Sequence, residues 1–141
     1  MNIPESYDLI ASLNGFVPFL KYMGAAVAML AFFVVAYMFA TPHKEIALIK
    51  ENNASAAISF AGAMVGYVTP LVTAMNVSEN VIDFMLWGFL AAIVQIALFF
   101  SIRIVFPLMI KRIEKGEVAM GITVAALSVV IGTINSASMI P

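Results

Sequence analysis

The sequence predicts an all-α integral membrane protein of four transmembrane helices, built as a parallel two-helix repeat with both termini outside. Three observations point there. Four apolar stretches, residues 20–40, 54–75, 81–106 and 118–140, are each long enough to cross a bilayer, since roughly 20 helical residues span about 30 Å of hydrocarbon. Hydrophobic residues make up 63% of the chain and charged residues 11%, with a mean hydropathy of +1.04, which is outside the range of soluble domains. Positive charge also alternates along the chain. Six of the seven Lys and Arg, namely Lys44, Lys50, Arg103, Lys111, Arg112 and Lys115, fall in or beside the links joining the first stretch to the second and the third to the fourth, whereas Glu5, Asp8, Glu79 and Asp83 mark the other side, with Lys21 the only base near them. Cytoplasmic loops carry the excess of Lys and Arg, so those two links are expected inside and both termini outside.

Residues 1–19 are expected to form an outer tail, and residues 20–141 the four-helix membrane domain. In the tail, Leu9, Ile10, Leu13, Phe16 and Val17 recur at helical spacing, which suggests a short helix lying on the outer surface before Pro18. Glu5 and Asp8 stand where a cleavable signal would be positive, so the first span is expected to be retained. The first and third spans are thick with Phe, as at Phe32, Phe33, Phe39, Phe84, Phe99 and Phe100, and suit an outer, lipid-facing position.

The link at residues 42–53 holds His43, Lys44, Glu45, Lys50 and Glu51, the densest group of functional side chains. Ile46, Leu48 and Ile49 give it an apolar side, so a short interfacial helix with its charges solvated is expected. One histidine and no cysteine in the chain cannot assemble a convincing metal or nucleophilic centre, so neither an enzyme nor a cofactor is expected. A net charge of -1 gives no electrostatic case for nucleic acid. The absence of cysteine also excludes disulfides.

The second and fourth spans are rich in small residues. Gly62 and Gly66 form a GxxxG pair, and Ser128, Gly132 and Ser136 repeat the spacing. Without a hydrophobic drive between helices in lipid, close backbone approach must hold them together, so these two spans are expected at the centre. Pro70 lies inside the second span, where it removes a helical bond, frees the carbonyl of Gly66 and predicts a kink. Among the polar side chains at membrane depth, Thr69, Gln95, Thr133 and Asn135 are the candidates for a polar site. They either line a narrow polar pathway or bond within and between helices, the latter being favoured on magnitude. Asp83 and Trp87 read as a helix N-terminal acid and an interface anchor.

Sliding the chain by 64 residues superimposes its halves without a gap, pairing Gly24 with Gly88, Ile46 with Ile110, Ile49 with Ile113, Ala61 with Ala125, Val65 with Val129 and Thr69 with Thr133. Each half holds two spans, so a repeat would be parallel, about an axis along the membrane normal.

The run Pro42, Glu45, Leu48-Ile49, Asn53-Ala54, Ala56-Ala57, Gly62, Gly66 and Pro70-Leu71, followed by Asp83, Trp87-Gly88, Gln95 and a closing Gly132, Asn135, Ala137 and Met139, closely resembles the YjfL-like family, domain of unknown function 350. The resemblance implies a small bacterial inner-membrane protein with four helices and a duplicated two-helix unit, in a family without an established activity; the termini that loop charge puts outside would then be periplasmic or extracellular. The chain departs from the pattern at Asn52-Asn53, where Gly-Asn would be typical, and at Ser138, where cysteine would be. Glu45, Asn53, Asp83, Gln95 and Asn135 are the family-like polar positions. The function expected is that of a non-enzymatic membrane subunit, embedded in the lipid bilayer and acting as a homo-oligomer or with other membrane proteins. The alternative is a small oligomeric channel or transporter.

Overall fold

A computed structural model describes residues 13–42 and 44–140. The described residues form six helices: α1 (Phe16–Ala40), α2 (Glu45–Lys50), α3 (Ala54–Val77), α4 (Val81–Val105), α5 (Met109–Glu114) and α6 (Val118–Ala137). Of these, α1, α3, α4 and α6 are long and apolar enough to cross a membrane. Helices α2 and α5 are single short segments at one end of the bundle.

The ends of the spans follow local chemistry. Helix α1 starts at Phe16 and runs through Pro18, because proline in a first turn removes an N–H that has no helical acceptor. Phe16 and Val17 therefore belong to the span; Leu13 and Asn14 are helical on the other side of a turn at Gly15, and the rest of the expected surface helix, before Leu13, lies outside the described residues. Asn53 caps α3 by accepting from Ala56 N at 3.0 Å, and Asn80 caps α4 by accepting from Ile82 N and Asp83 N, both at 3.0 Å. Asp83 accepts from Glu79 N at 3.3 Å, which ties down the residue just before the cap.

The two short helices end alike. Asn52 and Gly116 both take a left-handed backbone, φ 64° and 77°. Around them Asn53 N bonds Leu48 O at 2.9 Å and Asn52 N bonds Ile49 O at 3.0 Å; Glu117 N bonds Arg112 O at 3.0 Å and Gly116 N bonds Ile113 O at 2.9 Å. This is the pairing of a helix closed by a left-handed residue. It explains why glycine would suit position 52, where this chain uses asparagine, the other residue that tolerates the conformation.

The largest interface is between α3 and α6, with α4 packed against α3, α1 and α6, and α1 held mainly by α4. Aromatic rings fill the seam between α1, α3 and α4. Phe33 stacks on Tyr67 at 4.2 Å, and Tyr37 meets Phe99 edge-on at 5.5 Å. The Tyr67 hydroxyl has its one proton shared between the carbonyls of Gly88 at 3.3 Å and Met29 at 3.4 Å. Phe33, Phe84 and Phe99 are thus core residues, against the expectation that the phenylalanines of the first and third spans face lipid; Phe32, Phe39 and Phe100 are the exposed ones. The helical period divides the six, since α1 and α4 each turn one face onto the bundle.

Candidate functional site

The polar and small residues gather where α3 crosses α6. A Cβ on Gly62 would fall on the backbone of Ala125, one on Gly66 on the carbonyl of Ser128, and one on Gly132 on the carbonyl oxygen of Gly66. Gly121 is pressed against Ser55 in the same way. The helices run in the same direction, so this is a parallel small-residue crossing closed within one chain. Helix α3 passes through Pro70 as a single element. Pro70 has no N–H to give the carbonyl of Gly66, and it is against this oxygen that the Cα of Gly132 is set, in the manner of a Cα–H···O contact.

Gln95, on α4, enters this crossing. It is 2% exposed, and its Nε2 donates to the carbonyl of Ser128 at 3.3 Å. Its Oε1 is buried without a hydrogen-bond partner among the described residues. An unmet buried acceptor costs about 1–3 kcal/mol, so the pairing with Ser128 is a partial satisfaction of this amide.

The other polar candidates separate from Gln95. Thr69 donates to Val65 O and Thr133 to Val129 O, each at 2.8 Å, so both hydroxyls are satisfied by their own helices. By helical spacing they lie on the faces of α3 and α6 turned away from α4, and Thr133 is exposed. Ser136 pairs with Thr73 of α3 at 2.5 Å, continuing the crossing toward the C-terminal ends of both helices. Asn135 is half-buried, with its Nδ2 enclosed and unpartnered among the described residues. No continuous line of Thr69, Gln95, Thr133 and Asn135 is formed, because the helical period places Gln95 and the two threonines on opposite sides of the α3–α6 pair.

At the short-helix end, Asn53 does more than cap. Its Nδ2 donates to the carbonyls of Ile113 at 2.9 Å and Glu114 at 3.1 Å, and Ser55 Oγ donates to Glu117 O at 2.8 Å. One side chain thus starts α3 and satisfies the last carbonyls of α5. Glu45 departs from the solvated position expected of it. It is 2% exposed, and the Tyr37 hydroxyl faces its carboxylate, so α2 turns this acid inward while Lys44, Lys50 and Glu51 stay exposed. His43 lies outside the described residues. Asp83 serves the α4 cap.

Sequence reasoning missed Tyr37, Tyr67, Ser55, Gly121 and the cap at Asn80. For the last, the Asn80-x-x-Asp83 spacing was the available signal; a buried tyrosine in an apolar span has no comparable marker.

Known proteins share this pattern. The UPF0719 inner membrane protein YjfL of Escherichia coli (strain K12) is 32% identical over 127 residues, covering 90% of this chain and 96% of that protein, and the protein of the same name from Escherichia coli O157:H7 matches equally. No solved structure matches. The family model described as Domain of Unknown Function (DUF350) matches residues 11–139. Four apolar spans and this match over most of the chain make it a multi-pass membrane protein, and the chain belongs to the DUF350 family.

Proposed function

We propose that this chain is a non-enzymatic inner-membrane subunit that works by associating with further copies of itself or with another membrane protein. The observation that carries the reading is the open side of the α3–α6 pair. Gly62, Gly66 and Gly132 are spent inside the chain, so the GxxxG pair is not the free surface. What remains, opposite α4, is a face mostly of short side chains: Ala61, Val65, Thr69 and Val72 on α3, with Ala126, Val129 and Thr133 on α6, and Ile122 as the one long side chain near its start. Lipid tails gain little on such a surface, whereas another helix can approach it closely.

The two halves are read as a parallel duplication. Supporting this, α2 with its left-handed close at Asn52 and α5 with its close at Gly116 recur 64 residues apart, with the same backbone bonds. Both termini are assigned to the periplasmic side, because Lys44, Lys50, Lys111, Arg112 and Lys115 all sit at the end carrying α2 and α5.

Native mass determination of the detergent-extracted protein tests association. An oligomer, or a co-purifying membrane partner, is expected, and Val65→Trp should release it. A lone monomer that recovers no partner would end this reading. The chain contains no cysteine, so single Ser78→Cys and Lys111→Cys variants report sidedness with an impermeant maleimide: the first should label from outside and the second only after permeabilisation.

A second reading is an oligomeric channel, favoured by Thr69 and Thr133 sharing the open face. Cation flux into liposomes that falls on Thr69→Val with Thr133→Val would support it.

A further inference from the structure

We propose that the turn between α4 and α5 binds the headgroup of an anionic phospholipid in the adjoining leaflet. The turn borders an open, shallow pocket of about 200 Å³ lined by Val105, Phe106, Pro107, Leu108, Met109 and Arg112. Its chemistry has two parts. Val105 and Leu108 are 69% and 61% exposed beside a span that must lie in hydrocarbon, so they present an apolar wall at acyl-chain level. Arg112 supplies the polar part. Its Nε donates to Glu117 at 2.6 Å, which fixes the guanidinium plane and leaves its terminal N–H groups available for a phosphate.

The surrounding charge fits an anion. Lys111 and Lys115 are exposed on the same short segment, with Arg103 on the last turn of α4, against the acids Glu114 and Glu117. Basic pockets beside membrane helices take up anionic lipid headgroups in this way. The corresponding turn between α1 and α2 makes the contrast. It encloses a pocket of about 270 Å³ whose lining sets Glu45 beside Lys44, and Leu48 stands 64 residues before Arg112. Counted by segment, Lys44 and Lys50 are balanced by Glu45 and Glu51, whereas Arg103, Lys111, Arg112 and Lys115 outnumber Glu114 and Glu117, so the net positive charge that selects an anion belongs to the α4–α5 turn. A phospholipid rather than a soluble phosphate is indicated because the apolar wall continues directly from the pocket.

The intact protein, reconstituted in phosphatidylethanolamine bilayers, is labelled with a trace of photoreactive phosphatidylglycerol and the modified peptides are mapped. Label is expected on residues 105–112, competed by unlabelled phosphatidylglycerol at about one-fifth the concentration of phosphatidylethanolamine needed for the same effect. Arg112→Gln should remove this fivefold preference, while Lys44→Gln leaves it. Label spread evenly over both turns, equal competition by the two lipids, or an unchanged preference in Arg112→Gln would each overturn the proposal. Competition by free glycerol phosphate as strong as by the lipid would also overturn it, by making this a soluble-anion site. The lipid comparison on the unaltered protein decides the matter even if Arg112→Gln fails to fold.

Discussion

The Cα of Gly132 sits against the carbonyl oxygen of Gly66, the acceptor that Pro70 leaves without its helical donor. The proline that weakens α3 and the glycine that lets α6 close on it act at one point.

Gly132→Ala is expected to lower stability by about 1–3 kcal/mol, the usual cost of overpacking a filled interior. Here the obstruction is backbone, which cannot swing aside. Gly24→Ala is the control, because nothing lies within 4 Å of the added methyl, and it should change stability by less than about 0.5 kcal/mol. Unfolding of each variant in mixed micelles measures both.

Gln95→Leu should cost less than about 1 kcal/mol. It loses the bond from Nε2 to Ser128, a class that averages about 0.6 kcal/mol between membrane helices, but it also removes the unmet Oε1. A loss above about 3 kcal/mol would show that Oε1 has a partner of real strength. The same micelle titration reads the difference.

Replacing Asn53 separates its two tasks. Asn53→Ala should destabilise by about 1–2 kcal/mol through loss of the α3 cap and of the bonds to Ile113 and Glu114. Asn53→Asp keeps an acceptor for Ala56 N but loses both donations, so its thermal midpoint in detergent should fall between those of the wild type and the alanine variant.

At the left-handed positions the sign reverses between partners. Gly116→Ala should cost about 1 kcal/mol and Asn52→Gly should be neutral or slightly stabilising, because only the first change forces a Cβ into φ near 77°. Parallel thermal melts of the two variants test this.

Much of the architecture could be read from residue types alone. The spans begin where expected at Ala54, Val81 and Val118, because a charged or capping residue directly precedes or opens each apolar run and hydrocarbon thickness fixes the length. The fourth ends at Ala137, short of the expected residue 140, and α1 starts earlier than expected because Pro18 is a first-turn residue. The small-residue pattern put Gly62, Gly66 and Gly132 in view, but not that they meet one another, since a GxxxG pair carries no address for its partner. Phe33 and Phe32 differ by one position and about 100° of helix rotation; only the packing of α1 on α4 decides which is buried. The inward turn of Glu45 was likewise illegible, because it depends on Tyr37, one helix earlier.

The crossing of α3 and α6 also sets an order of events during biosynthesis. Gly62 has to wait for Ala125 to be translated and inserted before its groove is filled, so a chain with only three spans in the bilayer presents a glycine-lined notch to lipid. A truncated or stalled product would therefore be a sticky species, able to take a helix from a neighbouring chain in place of its own.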